Sequence, residues 1–355
     1  MTTLRDVANA VGCSAATVSR ALNGDTRISK SRTLLIREEA NRLGYQANQL
    51  ARSLRKQKTG YVGVVIPNLT NNYYTNCLSH LSDQLSPHGL HVVLGCHNFD
   101  AAKDANIINS LINRKVDALV HVPCTKQGID GVIDNLGIPV IEIGQRSSSA
   151  NVDAVYVDDA DGISHVMQYL ADLGHRRIVM IAGRQGVLGV DAQSRGFARA
   201  IAEMNLSLDE CKVVHCPANR HDCSHALENL LDSPRDSWPT AIIGAHHLAI
   251  SACLMVFRSR GLQLPNDISL VGFSNDEWFE VSNPPVTTYE HPFRAMSIVA
   301  AQLLISRLQP LPDQPSKREI INFDGKILER LSTGPPAIAK RKSTFEIGHA
   351  LNLAQ

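Results

Sequence analysis

Two hydrophobic rhythms divide the chain. Up to about residue 45 apolar residues recur at helical spacing: Leu4, Val7, Ala8 and Val11, then Val18 and Leu22, then Ile36, Ala40 and Leu43. Gly12 interrupts the first run where a tight turn needs positive φ. Ser14 stands where its hydroxyl would cap a second helix by accepting from the Thr17 N–H. Asn23-Gly24 ends that helix, and a third is expected from about Ser31 to Leu43. Beyond Gly60 the rhythm changes. "YVGVVI", "LHVVLGC", "DALVHV", "IPVIEI", "RIVMIA", "TAIIG" and "ISLVG" are short, nearly continuous apolar runs, as expected for strands buried on both faces of parallel sheets, with amphipathic helices between them. Alternating strands and helices predict α/β sheets with right-handed crossovers. Seven or more such units are too many for one ordinary sheet, so two lobes are expected.

Charge separates the same two regions. Residues 1–58 hold eleven Lys and Arg against four Asp and Glu, a net +7, whereas the rest of the chain carries −6. A compact basic head on a mildly acidic body is the electrostatic layout of a nucleic-acid binder. Two short helices joined at a glycine turn and closed by a third make a helix-turn-helix unit; a small protein-interaction module is the alternative. The front of the second helix, "CSAATVSRALNG", is built from small side chains. Large ones would hold the backbone away from base edges. Small ones admit close approach, a methyl contact with thymine and phosphate contacts from Ser14 and Thr17, while Arg20 reaches guanine O6 and N7 with two hydrogen bonds.

The segments "TLRDVANAVGCSAATVSRALNG" and "LGYQANQLARSLR" resemble the amino-terminal domain of the lactose/galactose repressor (LacI/GalR) family of bacterial transcription regulators. The resemblance implies that Ala15, Ala16 and Arg20 face bases, and adds Thr3, Ser14, Thr17, Ser19, Asn23, Asn48 and Arg52 to the DNA-contacting set. It also implies a hinge helix at about 48–56 that orders on operator DNA, with Leu54 wedged between base steps of the minor groove. Ala47 stands where the family usually has proline. In the body, "VVIPNLTNNYY", "GIPVIEIGQR", "VYVDDADG", "LGHRRIVMIAG" and "GLQLPNDISLVGF" are similar to the family's effector domain, which has the two-lobed fold of periplasmic sugar-binding proteins (type I). The implied organisation is a DNA-binding domain over 1–58 and an effector and dimerisation domain over 61–335. Lobe 1 would take about 61–158 and 290–322, lobe 2 about 159–289 and 323–335. Residues 336–355 are expected to form a flexible tail.

Loops at strand ends supply the candidate effector contacts: Asn71 for hydroxyls, Tyr73 and Tyr74 as apolar faces for a sugar ring, Arg146 for a carboxylate or vicinal hydroxyls, and Asn275 and Trp278 from "GFSNDEW". Gln193 stands where the family has an arginine, with Arg195 displaced by two positions. His246-His247 replaces Asn-Asp, and Ser274 replaces an aspartate. These replacements of acidic and arginine anchors favour a sugar acid slightly over a neutral sugar. "DEW" resembles the branch that responds to gluconate and keto-sugar acids.

"HCPANRHDCSH" gathers His215, Cys216, His221, Cys223 and His225, but its spacing matches no zinc pattern, and neither metal nor cofactor is expected. "AGRQGVLG" lacks the phosphate-loop spacings and is better explained as a cleft loop, no nucleophile elbow appears, and catalysis is not expected. A charged amino terminus, without the apolar stretch of a signal peptide, predicts a cytoplasmic protein that does not meet the membrane and counts against an exported transport receptor. The expected partners are pseudo-palindromic operator DNA, a second copy of the chain and a sugar or sugar-acid effector.

Overall fold

The computed structural model describes residues 2–22, 24–45, 58–126, 137–149, 152–217, 219–309 and 317–337. The chain forms two units, Met1–Thr59 and Gly60–Gln355. Asn23, Asn48, Arg52, Leu54, the hinge segment and residues 338–355 of the expected tail lie outside the described residues.

The first unit holds α1 (Leu4–Val11), α2 (Ala15–Leu22) and α3 (Lys30–Arg42). Thr3 opens α1 with a capping box: its hydroxyl accepts from the Asp6 N–H while the Asp6 carboxylate takes the Thr3 N–H at 2.7 Å. Gly12 closes α1 at φ +65°, a left-handed conformation that costs a residue without a Cβ nothing. The Ser14 hydroxyl accepts from the Thr17 N–H at 3.1 Å and starts α2. Val7, Ala8, Val18, Ala21, Ile36 and Ala40 form the core that these caps orient.

In the second unit twelve strands make two six-stranded sheets among the described residues. Sheet one comprises β1 (Tyr61–Ile66), β2 (His91–Cys96), β3 (Ala118–His121), β4 (Val140–Gly144), β5 (Asp153–Val157) and β11 (Ile320–Phe323). Sheet two comprises β6 (Ile178–Ala182), β7 (Lys212–His215), β8 (Ala241–Gly244), β9 (Ser269–Gly272), β10 (Thr287–Glu290) and β12 (Lys326–Leu328). Their orders, β2-β1-β3-β4-β5-β11 and β7-β6-β8-β9-β10-β12, repeat one doubly wound plan, parallel throughout except for β12 against β10. The apolar runs are the buried strands: β3, β4, β6, β8 and β9 are buried at every position. β5, β10, β11 and β12 are shorter or more polar and take their places from the sheets they join.

Helices cover the sheet faces: α4 (Asn72–Leu85), α5 (Ala101–Asn113), α6 (Asp159–Asp172), α7 (Leu188–Glu203), α8 (Arg220–Leu231), α9 (His247–Ser259), the short α10 (Trp278–Val281) and α11 (Phe293–Leu308). The chain passes between lobes three times. After β5 it enters α6, which packs on α7; after β10 it returns through α11, which packs on α4 and β4; and it crosses again between β11 and β12. Among the described residues no helix is long and apolar enough to cross a membrane.

Candidate functional site

In the head, the front of α2 carries the candidate chemistry. Ala16 and Arg20 are exposed and one turn apart. Ala15 is partly buried and packs against the head core. The Ser14 and Thr17 hydroxyls lie 2.9 Å apart, and both hold the start of the helix as well as facing outward. Ser19 sits half-buried on the same helix, and Thr3 is exposed but committed to its capping box. Two nearby cations are already paired: Arg27 with Asp25, which holds that carboxyl down to about 2, and Arg42 with Glu39.

In the body, the doubly wound plan marks one place for a ligand. Where strand order reverses, neighbouring loops leave the sheet in opposite directions and open a crevice at the carboxyl ends of the strands. The reversals fall between β1 and β3 in sheet one and between β6 and β8 in sheet two. The loops that follow these strands line a cavity of about 510 Å³ between the lobes. Lobe 1 contributes Asn71, Tyr73, Tyr74, Phe99, Val122 and Gln145; lobe 2 contributes Arg184, Gln193, His246, His247, Phe273 and Asn275, and His291 follows the second crossing. The lobes touch around it. The Leu188 N–H donates to Cys124 O at 2.9 Å, and Arg184 Nη2 donates to Phe99 O at 3.3 Å.

Asp159, just after the first crossing, is the hub of the floor. Its Oδ1 lies 3.1 Å from His291 Nε2, and its Oδ2 accepts from Gln145 at 3.0 Å and Gln193 at 3.5 Å. This carboxylate is spoken for by groups from both lobes. The Tyr73 ring packs edge-on against His291 and Phe293, and burial raises both the Tyr73 and the Tyr74 hydroxyls. His246 caps α9, its Nδ1 accepting from the Ala249 N–H at 3.2 Å. Burial pushes His246 down to about 4 and lowers His247 too, so both imidazoles are neutral near pH 7.

Of the sequence-derived candidates, Asn71, Tyr73, Tyr74, Gln193, His246 and Asn275 meet in the cavity lining. Asn71 also caps α4, accepting from the Tyr73 N–H at 3.0 Å. Asn275 is a brace: its amide donates to Glu290, and its carbonyl accepts from Thr288 and Arg330. Three candidates need correction, because the lining does not include them. The lining stops at Gln145, and the exposed Arg146 guanidinium lies over the Tyr156 ring, 5.9 Å from its centroid. Arg195 is exposed: two residues beyond Gln193 on α7, it points to the opposite side of the helix. Trp278 is 37% exposed and packs on Phe279, in the short helix beyond the rim. The cation that does line the cavity is Arg184, in the cleft loop "AGRQGVLG", a residue that the sequence reading of that loop did not single out. Gln145, Asp159, Phe273, His291 and Phe293 were also missed, since their approach depends on the lobes meeting.

Comparison with known proteins agrees with both units. Residues 3–48 match the family of bacterial regulatory proteins named for lacI, and residues 167–333 match the periplasmic binding protein-like domain. The chain thus carries the DNA-binding domain of the lacI family of bacterial regulatory proteins ahead of a periplasmic binding protein-like domain. Members are DNA-binding transcriptional regulators with a ligand-binding effector domain, and this one is a regulator rather than an enzyme. Catabolite control protein A of Priestia megaterium is 27% identical over 306 residues, 85% of this chain and 91% of that protein. The lac repressor dimer bound to operator and the anti-inducer ONPF superposes with a TM-score of 0.82 at 19% identity, covering 94% of this chain and 99% of that one. A CelR–cellobiose complex does so with a TM-score of 0.68 at 24% identity, covering 94% and 100%. These two structural likenesses concern the fold.

Proposed function

We propose that this regulator is a homodimeric repressor in the bacterial cytoplasm, held at the nucleoid by pseudo-palindromic operator DNA and controlled by a small sugar or sugar acid in the interlobe cavity. One helix-turn-helix reads a half-site, so two copies related by a two-fold axis are needed for a full operator. Ala16 and Arg20 read bases, with Ala15 at the edge of the contact; Thr3, Ser14, Thr17, Ser19 and Asn23 contact the backbone nearby. Asn48, Arg52 and Leu54 supply the hinge contacts in the minor groove.

The observation that carries the effector reading is the cavity at the two strand-order reversals, closed by side chains from both lobes and bridged at Asp159. A ligand there binds one degree of closure better than another, which is the differential affinity that allosteric control requires. Tyr73, Phe273 and Phe293 offer apolar faces to a ring, and Arg184 offers a planar cation to a carboxylate. Cellobiose in the CelR complex is a precedent for a sugar in this fold.

Purified protein screened by thermal shift against sugars and sugar acids, then assayed on DNA selected from a random pool, tests the reading. A stabilising compound should change affinity for the selected duplex, and Arg184→Ala should weaken carboxylated compounds more than neutral ones. Equal affinity for random and selected duplexes across a salt titration, or no sugar-class ligand that couples to DNA, would sink the proposal.

A further inference from the structure

The segment "HCPANRHDCSH" joins β7 to α8, and the regulator's DNA and effector chemistry leaves its histidines and cysteines unused. Its three histidines turn away from its two cysteines. His215 Nδ1 donates to Gly183 O at 2.9 Å, His221 is exposed beside Asp222, and His225 is exposed and takes a hydrogen bond from Asn229. Among the described residues, no group of three or more His, Cys, Asp or Glu side chains is placed to hold a metal ion.

What remains is a dithiol. Cys216, just beyond the end of β7, and Cys223, in the first turns of α8, point into the same apolar cluster with their Sγ atoms 3.1 Å apart. Cys216 is 5% exposed and Cys223 1%. They stand seven positions apart in sequence and meet where strand gives way to helix, at a corner where Asn219 caps α8 by accepting from the Asp222 N–H. Pro217, next to Cys216, lines the effector cavity. The two thiols differ in character. Hydrogen bonding to Cys223 lowers Cys216, whereas the same contact raises Cys223. Both residues are buried, and Cys216, the thiol held lower, is the readier nucleophile of the two.

We propose that Cys216 and Cys223 are a redox modification site: a hydroperoxide oxidises the pair to an intramolecular disulfide that ties the β7–α8 corner beside the effector cavity. The Cys216 thiolate attacks one peroxide oxygen; an S–O bond forms, the O–O bond breaks, and the leaving oxygen takes a proton to become an alcohol, or water from hydrogen peroxide. The Cys223 sulfur, having given up its proton, then attacks the sulfenic sulfur; the S–S bond forms and the hydroxide released takes a proton to become water. Two electrons pass from two thiols to one peroxide, and a thiol reductant reverses the change. Disulfides that form in reducing compartments are mostly of this transient, sensing kind.

The test uses the full chain, reduced, freed of reductant, treated with hydrogen peroxide, then denatured and alkylated for mass spectrometry. The expected result is loss of two of the eight alkylatable thiols, a cross-linked peptide joining Cys216 to Cys223, and recovery of all eight with dithiothreitol. Cys223→Ser should leave a sulfenic acid on Cys216 that dimedone traps, Cys216→Ser should abolish the cross-link, and Cys253→Ser, a buried neighbour, should leave it intact. Circular dichroism of each variant controls for folding. Retention of all eight thiols, a cross-link to Cys253 instead, or equal trapping at unrelated cysteines would overturn the proposal. None of these readouts involves a sugar or DNA, so failure here is separable from failure of the effector reading.

Discussion

Arg20 is the residue on which base readout turns. It is exposed on α2, one turn beyond Ala16, at the end of a surface built from small side chains. Replacing Arg20 with Ala should cost about 1–3 kcal/mol on the selected operator and much less on random duplex, as fluorescence anisotropy on the two DNAs would measure. An equal loss on both would make Arg20 a phosphate contact. At this scale the sequence was most legible where chemistry is local. Ser14 caps the helix three residues ahead of the N–H that donates to it, and Gly12 takes its left-handed turn, because each depends on near neighbours alone. It was least legible for Arg146 and Arg184. Both follow strands in loops of similar composition, and which guanidinium lines the cavity depends on lobe geometry that no short window contains.

Among elements, the pairing of α6 with α7 is the tightest constraint. A Cβ built on Gly196 would lie 2.1 Å from Ala160 O, so the two helix backbones touch there, and Ser164 Oγ donates to both Ala160 O and Gly196 O. Helix propensity alone would favour alanine at position 196 by about 1 kcal/mol. The clash is with backbone, which cannot rotate away, so Gly196→Ala should instead destabilise the effector domain by about 1–3 kcal/mol, seen as a lower urea midpoint. A raised midpoint would mean the helices separate freely. The central strands were readable as elements because burial on both faces leaves an unbroken apolar run. β11 and β12 were not: "IINF" and "KIL" are short, partly exposed edge segments whose strand character comes from β5 and β10 alongside.

At the scale of the whole molecule, stability should fall in mild acid. His175 is buried, with Nδ1 2.9 Å from the Thr240 hydroxyl and Nε2 2.9 Å from Gly334 O, so it ties the strand-terminal segment near residue 334 to the start of β8. Burial pushes its imidazole down to about 4, below the value near 6.5 of the unfolded chain. The unfolded state thus binds the proton first. Its contribution is fully present above about pH 6.5 and is lost as pH falls toward 4, which amounts to about 2 kcal/mol between pH 7 and pH 5. Urea unfolding at the two pH values, with His175→Gln as the non-titrating comparison, should show a smaller pH dependence in the variant. An identical dependence would remove His175 as its source.

The order of apolar and polar residues by itself determined that a three-helix basic head precedes an α/β body of buried parallel strands, since periodicity, caps and charge act over a few residues and are written in the chain. The tertiary structure alone decided which side chains share the cavity. Tyr73, Asp159, Arg184 and His291 stand far apart in sequence and meet because two doubly wound sheets face each other across three crossings. Such meetings are set by the packing of whole lobes, a long-range property that local spacing does not encode.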